Sequence, residues 1–178
     1  MSSTFIPSSL APLISSISSI LIQRKETVSI AETAAGGLIS ATLLSVPGAS
    51  AYFRGGLTVY SLPSRIAFAG WTEENLKYYI GPTPEIVAGL AKNTREKLQS
   101  TYAVCESGTA GPTGGTTRNR TPGYLAIAVV SKDGEVTREV ETGSSVREEN
   151  MVKFTEEALK LFLSVLEGKI KVENKPSL

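Results

Sequence analysis

Histidine is absent from this 178-residue sequence, and cysteine occurs once, as Cys105. Without imidazole there is no Ser-His-Asp triad, no Cys-His dyad, no histidine base and no imidazole-ligated zinc site. A single cysteine forms neither an intrachain disulfide nor a thiolate cluster, so the expectation is a metal-free protein of a reducing, cytoplasmic compartment. Net charge is scarce as well. Eighteen Lys+Arg against seventeen Asp+Glu leave +1, too little for a binder that relies on electrostatic attraction to nucleic acid or a membrane surface. The longest apolar stretch, residues 10–22, is broken by four serines and falls short of a bilayer core of about 30 Å. No basic residue precedes Arg24, so the start reads as neither a secretory signal nor a transit peptide.

What is present is apolar material, 41% of residues, enough for one buried core. The expected division is a single domain over residues 1–167, followed by a flexible polar tail at 168–178. Leu10, Leu13, Ile14, Ile17, Ile20 and Leu21 fall at helical spacing, with Ser8 or Ser9 ahead of Pro12 as a cap. TVSIA (27–31) predicts a strand, 35–46 a helix stopped by Pro47-Gly48, GLTVYS (56–61) a strand, and 72–80 a helix with Glu73 and Glu74 in its first turn. Thr83 and Pro84 open a helix whose apolar face, Ile86, Val87, Leu90, Ala91 and Leu98, runs to about Gln99. Residues 101–106 predict a buried strand, and 124–132 with 135–141 a hairpin turned by Asp133-Gly134 in a type I′ geometry. A last helix starts near Ser145, with Ser145 and Glu148 at capping-box spacing and Val152, Leu159, Phe162, Leu163 and Leu166 facing the core. Alternating strands and helices with one hairpin predict a three-layer α/β/α sandwich around a mixed sheet.

Three stretches carry residues fit for chemistry. In Glu32-Thr33-Ala34-Ala35-Gly36-Gly37 a strand hands over to a helix, where first-turn amides favour an anion or an oxyanion and Thr33 offers a hydroxyl. The same residues also read as a threonine cap with two glycines for close packing. SGTAGPTGGTT (107–117) holds four glycines and four threonines and can present its N–H groups as a concave anion nest. It lacks the Gly-Lys-Ser/Thr of a nucleotide-binding P-loop and does not follow G-x-G-x-x-G. A plain connection stays open, although about fifteen residues exceeds the usual hairpin loop of two to five. Arg118 and Arg120 follow it and read either as partners of the same anion or as solvent-facing, with the second preferred. Tyr60 precedes Arg65 by five residues; a guanidinium beside a phenol favours the phenolate, one way to build a proton acceptor without histidine. Arg65 cannot itself be the base. The other reading is an edge tyrosine and an exposed arginine. Arg147, a cation in the first turn of the last helix, fits a bound phosphate or an arbitrary surface position. Cys105 reads as a core residue, and Trp71 with Tyr78-Tyr79 as packing aromatics.

AETAAGGLISATLLSVPGASAYFRGGLTVYS, SGTAGPTGG and TPGYLAIAV, in that order, resemble the CinA C-terminal domain family over roughly residues 8–167. The resemblance implies a three-layer domain, often a homodimer or higher homo-oligomer, that needs no cofactor. It also implies an amidohydrolase that converts nicotinamide mononucleotide to nicotinic acid mononucleotide and ammonia, and here a stand-alone module. Family enzymes read Glu-Ser-Cys-Thr-Gly-Gly at 32–37, so their nucleophilic serine falls on Thr33. Their tyrosine falls on Tyr60, their lysine on Arg65, their loop threonine on Thr109 and their helix-start arginine on Arg147. The implied catalytic set is Thr33, Tyr60 and Arg65. The implied substrate set is Gly36, Gly37, Thr109, Gly111, Gly114, Gly115 and Arg147. Arginine stays charged where lysine can be desolvated into a neutral base, so a silent relative that still binds a pyridine nucleotide or phosphosugar is the alternative expectation. A purely structural dimerising domain is the third.

Overall fold

A computed structural model describes residues 5–174. Five strands, β1 (Val28–Glu32), β2 (Phe53–Thr58), β3 (Tyr102–Gly108), β4 (Tyr124–Ser131) and β5 (Gly134–Glu141), form one sheet in the order β2-β1-β3-β4-β5. β1 pairs in parallel with β2 and β3, whereas β4 runs antiparallel to both its neighbours. Among the described residues six α-helices accompany the sheet: α1 (Ala11–Arg24), α2 (Leu38–Leu44), α3 (Leu62–Phe68), α4 (Glu73–Lys77), α5 (Pro84–Leu98) and α6 (Arg147–Leu166). The expected mixed-sheet sandwich is the observed architecture.

Side-chain alternation along the strands builds two unlike cores. Ile30, Val104, Leu125, Ile127 and Val129 point to the face covered by α1, α2 and α6, where Ile17, Leu21, Phe154, Leu159 and Phe162 meet them. Ala31, Ala103, Cys105, Ala126 and Ala128 point to the other face, where small residues let α5 approach through Val87, Ala88, Leu90 and Ala91. Large residues fill the side covered by α1, α2 and α6, and alanines the side covered by α5.

Several boundaries differ from the sequence expectation for identifiable reasons. β2 starts at Phe53 rather than 56, because pairing with β1 carries it through Gly55 and Gly56. Glycine at 56 is required by close approach: a Cβ there would lie 2.2 Å from the Ser40 hydroxyl of α2. α3 was not expected, yet Ser61 caps it by accepting from the Ser64 amide and Pro63 sits in its first turn. α1 has no serine cap; Leu10 occupies that position. α4 is shorter than 72–80, ending at Lys77. The hairpin is present, but its turn is not type I′: neither Lys132 nor Asp133 has positive φ, and Gly134 takes φ 140°. α6 begins at Arg147 without the Ser145 box, and Phe154 and Leu161 take the core positions expected of Val152. Past Gly168, Glu173 exchanges both backbone hydrogen bonds with Glu135, at 3.0 Å each; residues 175–178 of the expected tail lie outside the described residues. Among the described residues no helix is long and apolar enough to cross a membrane.

Candidate active site

β1, β2, β3 and β5 all end at the same edge of the sheet, and β4 begins there. Open α/β sheets hold ligands outside the carboxyl ends of their strands. A crevice of about 290 Å³ lies at that edge. Ala34 enters it from the turn after β1, Tyr60 from the segment after β2, and Thr109, Gly111 and Gly114 from the loop after β3. Arg147 enters it from the first turn of α6, and Arg120 and Tyr79 complete its wall. Four of the expected residues of the loop and α6, together with Tyr60, thus share one cavity.

The loop is held by the scaffold rather than by its own glycines. Thr109 donates its amide to the Tyr124 carbonyl (2.9 Å) and accepts the Gly123 amide (2.8 Å), which extends the β3–β4 ladder by one step. Its hydroxyl donates to the Asn119 carbonyl (3.1 Å), and Asn119 Nδ2 donates to Pro82 O (3.2 Å). Buried Asn150, on α6, donates to the carbonyls of Ala110 (2.9 Å) and Ser144 (2.8 Å), while its Oδ1 accepts from Thr142 (2.5 Å). One amide therefore ties the glycine loop, the segment before α6 and the helix carrying Arg147. Sequence reading passed over Asn150; the available signal was an uncharged polar residue on the inward face of α6, one turn after Arg147.

The turn after β1 has a different arrangement from the one expected. Glu32 Oε2 accepts the amides of Gly37 (3.0 Å) and Ile39 (2.9 Å), and its Oε1 accepts the Ser40 amide (2.8 Å) and hydroxyl (2.6 Å). Glu32, not Thr33, satisfies the start of α2. Glu106, reaching over from β3, accepts the amides of Thr33 (2.6 Å) and Ala35 (2.8 Å) on Oε1. Among the amides expected to face an oxyanion, those of Thr33, Ala35, Gly37, Ile39 and Ser40 are thus bound to the protein's own carboxyl groups. Glu106 is fully buried and its Oε2 has no partner. Burial raises its carboxyl to about 7, with the Ala35 and Thr33 amides pulling it down and the Glu32 charge pushing it further up. A charge inside the apolar strand YAVCESG was the visible sequence signal for it.

Thr33 lies directly behind Ala34, 3% exposed, and donates its hydroxyl to Ser107 Oγ (3.1 Å). Tyr60 stands at the mouth, 64% exposed. No hydrogen bond joins Tyr60 to Arg65 among the described residues. The Arg65 side chain is buried, donates from Nε to Val59 O (3.3 Å), and places its guanidinium over the rings of Trp71 (4.9 Å) and Tyr79 (5.1 Å). Gly36, Gly37 and Gly115 do not line the crevice. Cys105 is enclosed, and burial pushes its thiol well above the ordinary range, so it supplies no thiolate.

The fold recurs in the competence/damage inducible protein CihA from Agrobacterium tumefaciens. That structure superposes with a TM-score of 0.85 at 23% identity, covering 93% of this chain and 99% of that one. In sequence, a CinA-like protein of Fervidobacterium nodosum is 35% identical over 115 residues, 65% of this chain and 28% of its own length. A CinA-like protein of Shewanella piezotolerans is 39% identical over 118 residues, 66% of this chain and 28% of its own length. The chain thus spans less than a third of the curated relatives it matches. The family model described as the CinA C-terminal domain matches residues 10–166, and the chain belongs to that family.

Proposed function

We propose that the crevice binds nicotinamide mononucleotide and that the domain hydrolyses its carboxamide to a carboxylate and ammonia. The observation that carries the reading is the make-up of the crevice: two guanidinium groups, Arg120 and Arg147, a threonine hydroxyl and a glycine-rich backbone around one opening. Phosphate is recognised by guanidinium groups and by backbone N–H groups. With the phosphate held by Arg147 and the loop, the carboxamide is directed toward Ala34 and Thr33. In the reaction Thr33 Oγ forms a bond to the carbonyl carbon, its proton passes to the nitrogen, the C–N bond breaks and ammonia leaves. Water then hydrolyses the threonyl ester. Tyr60 is the group at the mouth suited to relay the proton, and Arg65, buried beneath Tyr79, contributes fixed positive charge and not a base. Attack requires the Thr33 hydroxyl to leave Ser107 and turn toward the opening.

That requirement favours a second reading, binding without turnover, because Thr33 is shielded and its neighbouring amides are engaged by Glu106. Ammonia release from nicotinamide mononucleotide, measured with purified protein and with Thr33→Ala, separates the two. Release above the buffer blank that the substitution abolishes supports hydrolysis. Calorimetric binding without release supports the silent binder. Neither binding nor release overturns both.

A further inference from the structure

A second cavity of about 580 Å³, twice the crevice, lies between α5 and the α3–α4 segment, with Tyr79 as the wall common to both. Its size falls in the range of small-molecule sites. Trp71 and Tyr79 line it, their rings set edge to face at 5.5 Å. The Arg65 guanidinium, which does not line the cavity, backs both rings from the interior. A ring with a cation on one face has a less negative opposite face, so it stacks a neutral, electron-rich heterocycle in preference to a second cation.

The helix supplying the floor is unusual in the same place. Glu85, Gly89, Asn93 and Glu96 follow one another on a single stripe of α5 and all line the cavity. Gly89 sits mid-helix, where glycine costs about 1 kcal/mol relative to alanine, yet a Cβ at this position would meet nothing within 4 Å. Packing does not require glycine there; an unobstructed floor does. One turn further on, Asn93 Oδ1 is buried with no hydrogen-bond donor, a costly state for an amide oxygen. Asn93 lines the cavity, and a turn of its side chain brings this acceptor to an N–H arriving with a ligand.

We propose that this cavity binds the base of a nucleoside carrying an exocyclic amine. The ring lies between the Trp71–Tyr79 wall and Gly89, and the amine donates to Asn93 Oδ1. Trp71 is the protein's one tryptophan, so its emission reports this cavity directly. Titrated with adenosine, and excited beyond the absorption of the bases, the full chain should show saturable quenching. Inosine, with an oxo group in place of the amine, should bind about tenfold more weakly, the worth of one hydrogen bond to a buried partner. Asn93→Ala should weaken adenosine by a similar factor and erase the preference over inosine. Gly89→Leu, which improves the helix and fills the floor, should keep the far-UV spectrum and abolish quenching. Absence of saturable quenching, equal affinity for inosine, or quenching undiminished in Gly89→Leu would each overturn the proposal. None of these readouts depends on turnover or on the crevice, so their failure leaves the amidase reading standing, and its failure leaves them untouched.

Discussion

The turn after β1 and the loop after β3 are both rich in backbone N–H groups and both lie at the same edge of the sheet, yet they differ in what holds those groups. In the turn, five amides between Thr33 and Ser40 are taken by two buried carboxylates, Glu32 and Glu106. In the loop, the amides of Gly111, Thr113 and Gly114 have no partner among the described residues, and guanidinium groups face the same space. A small-residue turn is thus an anion site only where the chain does not supply the anion itself. Here the chain fills the turn itself, with Glu32 at the end of β1 and the buried carboxyl of Glu106 in β3. The first region is structural and stores stability; the second is free to bind.

The sharpest way to break this contrast is Glu32→Ala. The substitution leaves the amides of Gly37, Ile39 and Ser40 and the Ser40 hydroxyl without their acceptor. At about 1–3 kcal/mol for each buried group left unpaired, we expect a loss of at least about 3 kcal/mol in urea unfolding. That is a large share of the usual 5–15 kcal/mol of a domain. A loss below about 1 kcal/mol would show that water replaces Glu32 and that the turn is open after all.

Glu106 sharpens the contrast through pH. Its carboxyl is raised from 4.5 to about 7 in the folded state, so folding favours the protonated form. The stabilisation is fully present below the unfolded value of 4.5 and is lost as pH rises through about 7, the opposite of a salt-bridged acid. For a shift of this size the loss reaches up to about 3 kcal/mol. Denaturant unfolding between pH 5 and pH 8 should show declining stability in the native protein and a flatter profile in Glu106→Gln, which cannot ionise. Equal slopes in the two proteins would remove Glu106 as the cause.

The open region predicts the reverse pattern. Arg147 is exposed, with no side-chain partner among the described residues, so Arg147→Ala should move unfolding by less than about 0.5 kcal/mol. Its effect should appear in ligand affinity instead: about tenfold or more for nicotinamide mononucleotide by calorimetry, the cost of a charge-assisted contact. Unchanged affinity would place the phosphate elsewhere.

How much of this was legible in the sequence follows the same division between local and distant causes. The Thr83-Pro84 start of α5, the apolar period of α1 and the β4–β5 pairing rest on neighbours in the chain, and each appears where the residues predict it. α3 carried equally local signals in Ser61 and Pro63, hidden by reading Tyr60 as the end of a longer strand. β2 begins three residues earlier than expected and ends at Thr58, because its bounds are set by pairing with β1, a non-local cause, and Gly56 within it admits α2. At the site, the meeting of Thr109 with Arg147 was expected only through resemblance, since 38 positions separate them in the sequence. The diversion of the Thr33 and Ala35 amides to Glu106, more than 70 positions away, depends on strand register, which composition does not encode.

The smallest effect is the most discriminating. Thr33→Val replaces a hydroxyl by a methyl of nearly the same shape. It removes one hydrogen-bond donor from Ser107 and leaves the Thr33 amide on Glu106. One buried side-chain hydrogen bond is worth about 1 kcal/mol net, and the Ser107 hydroxyl remains free to turn toward the crevice, so unfolding should shift by about that much or less. If Thr33 belongs only to the self-satisfied turn, that small shift is the whole consequence. If it also serves the crevice, ammonia release vanishes while the affinity for nicotinamide mononucleotide, set by Arg147 and the loop, is retained. The residue sits where the closed region meets the open one, and the two measurements on a single variant show to which it belongs.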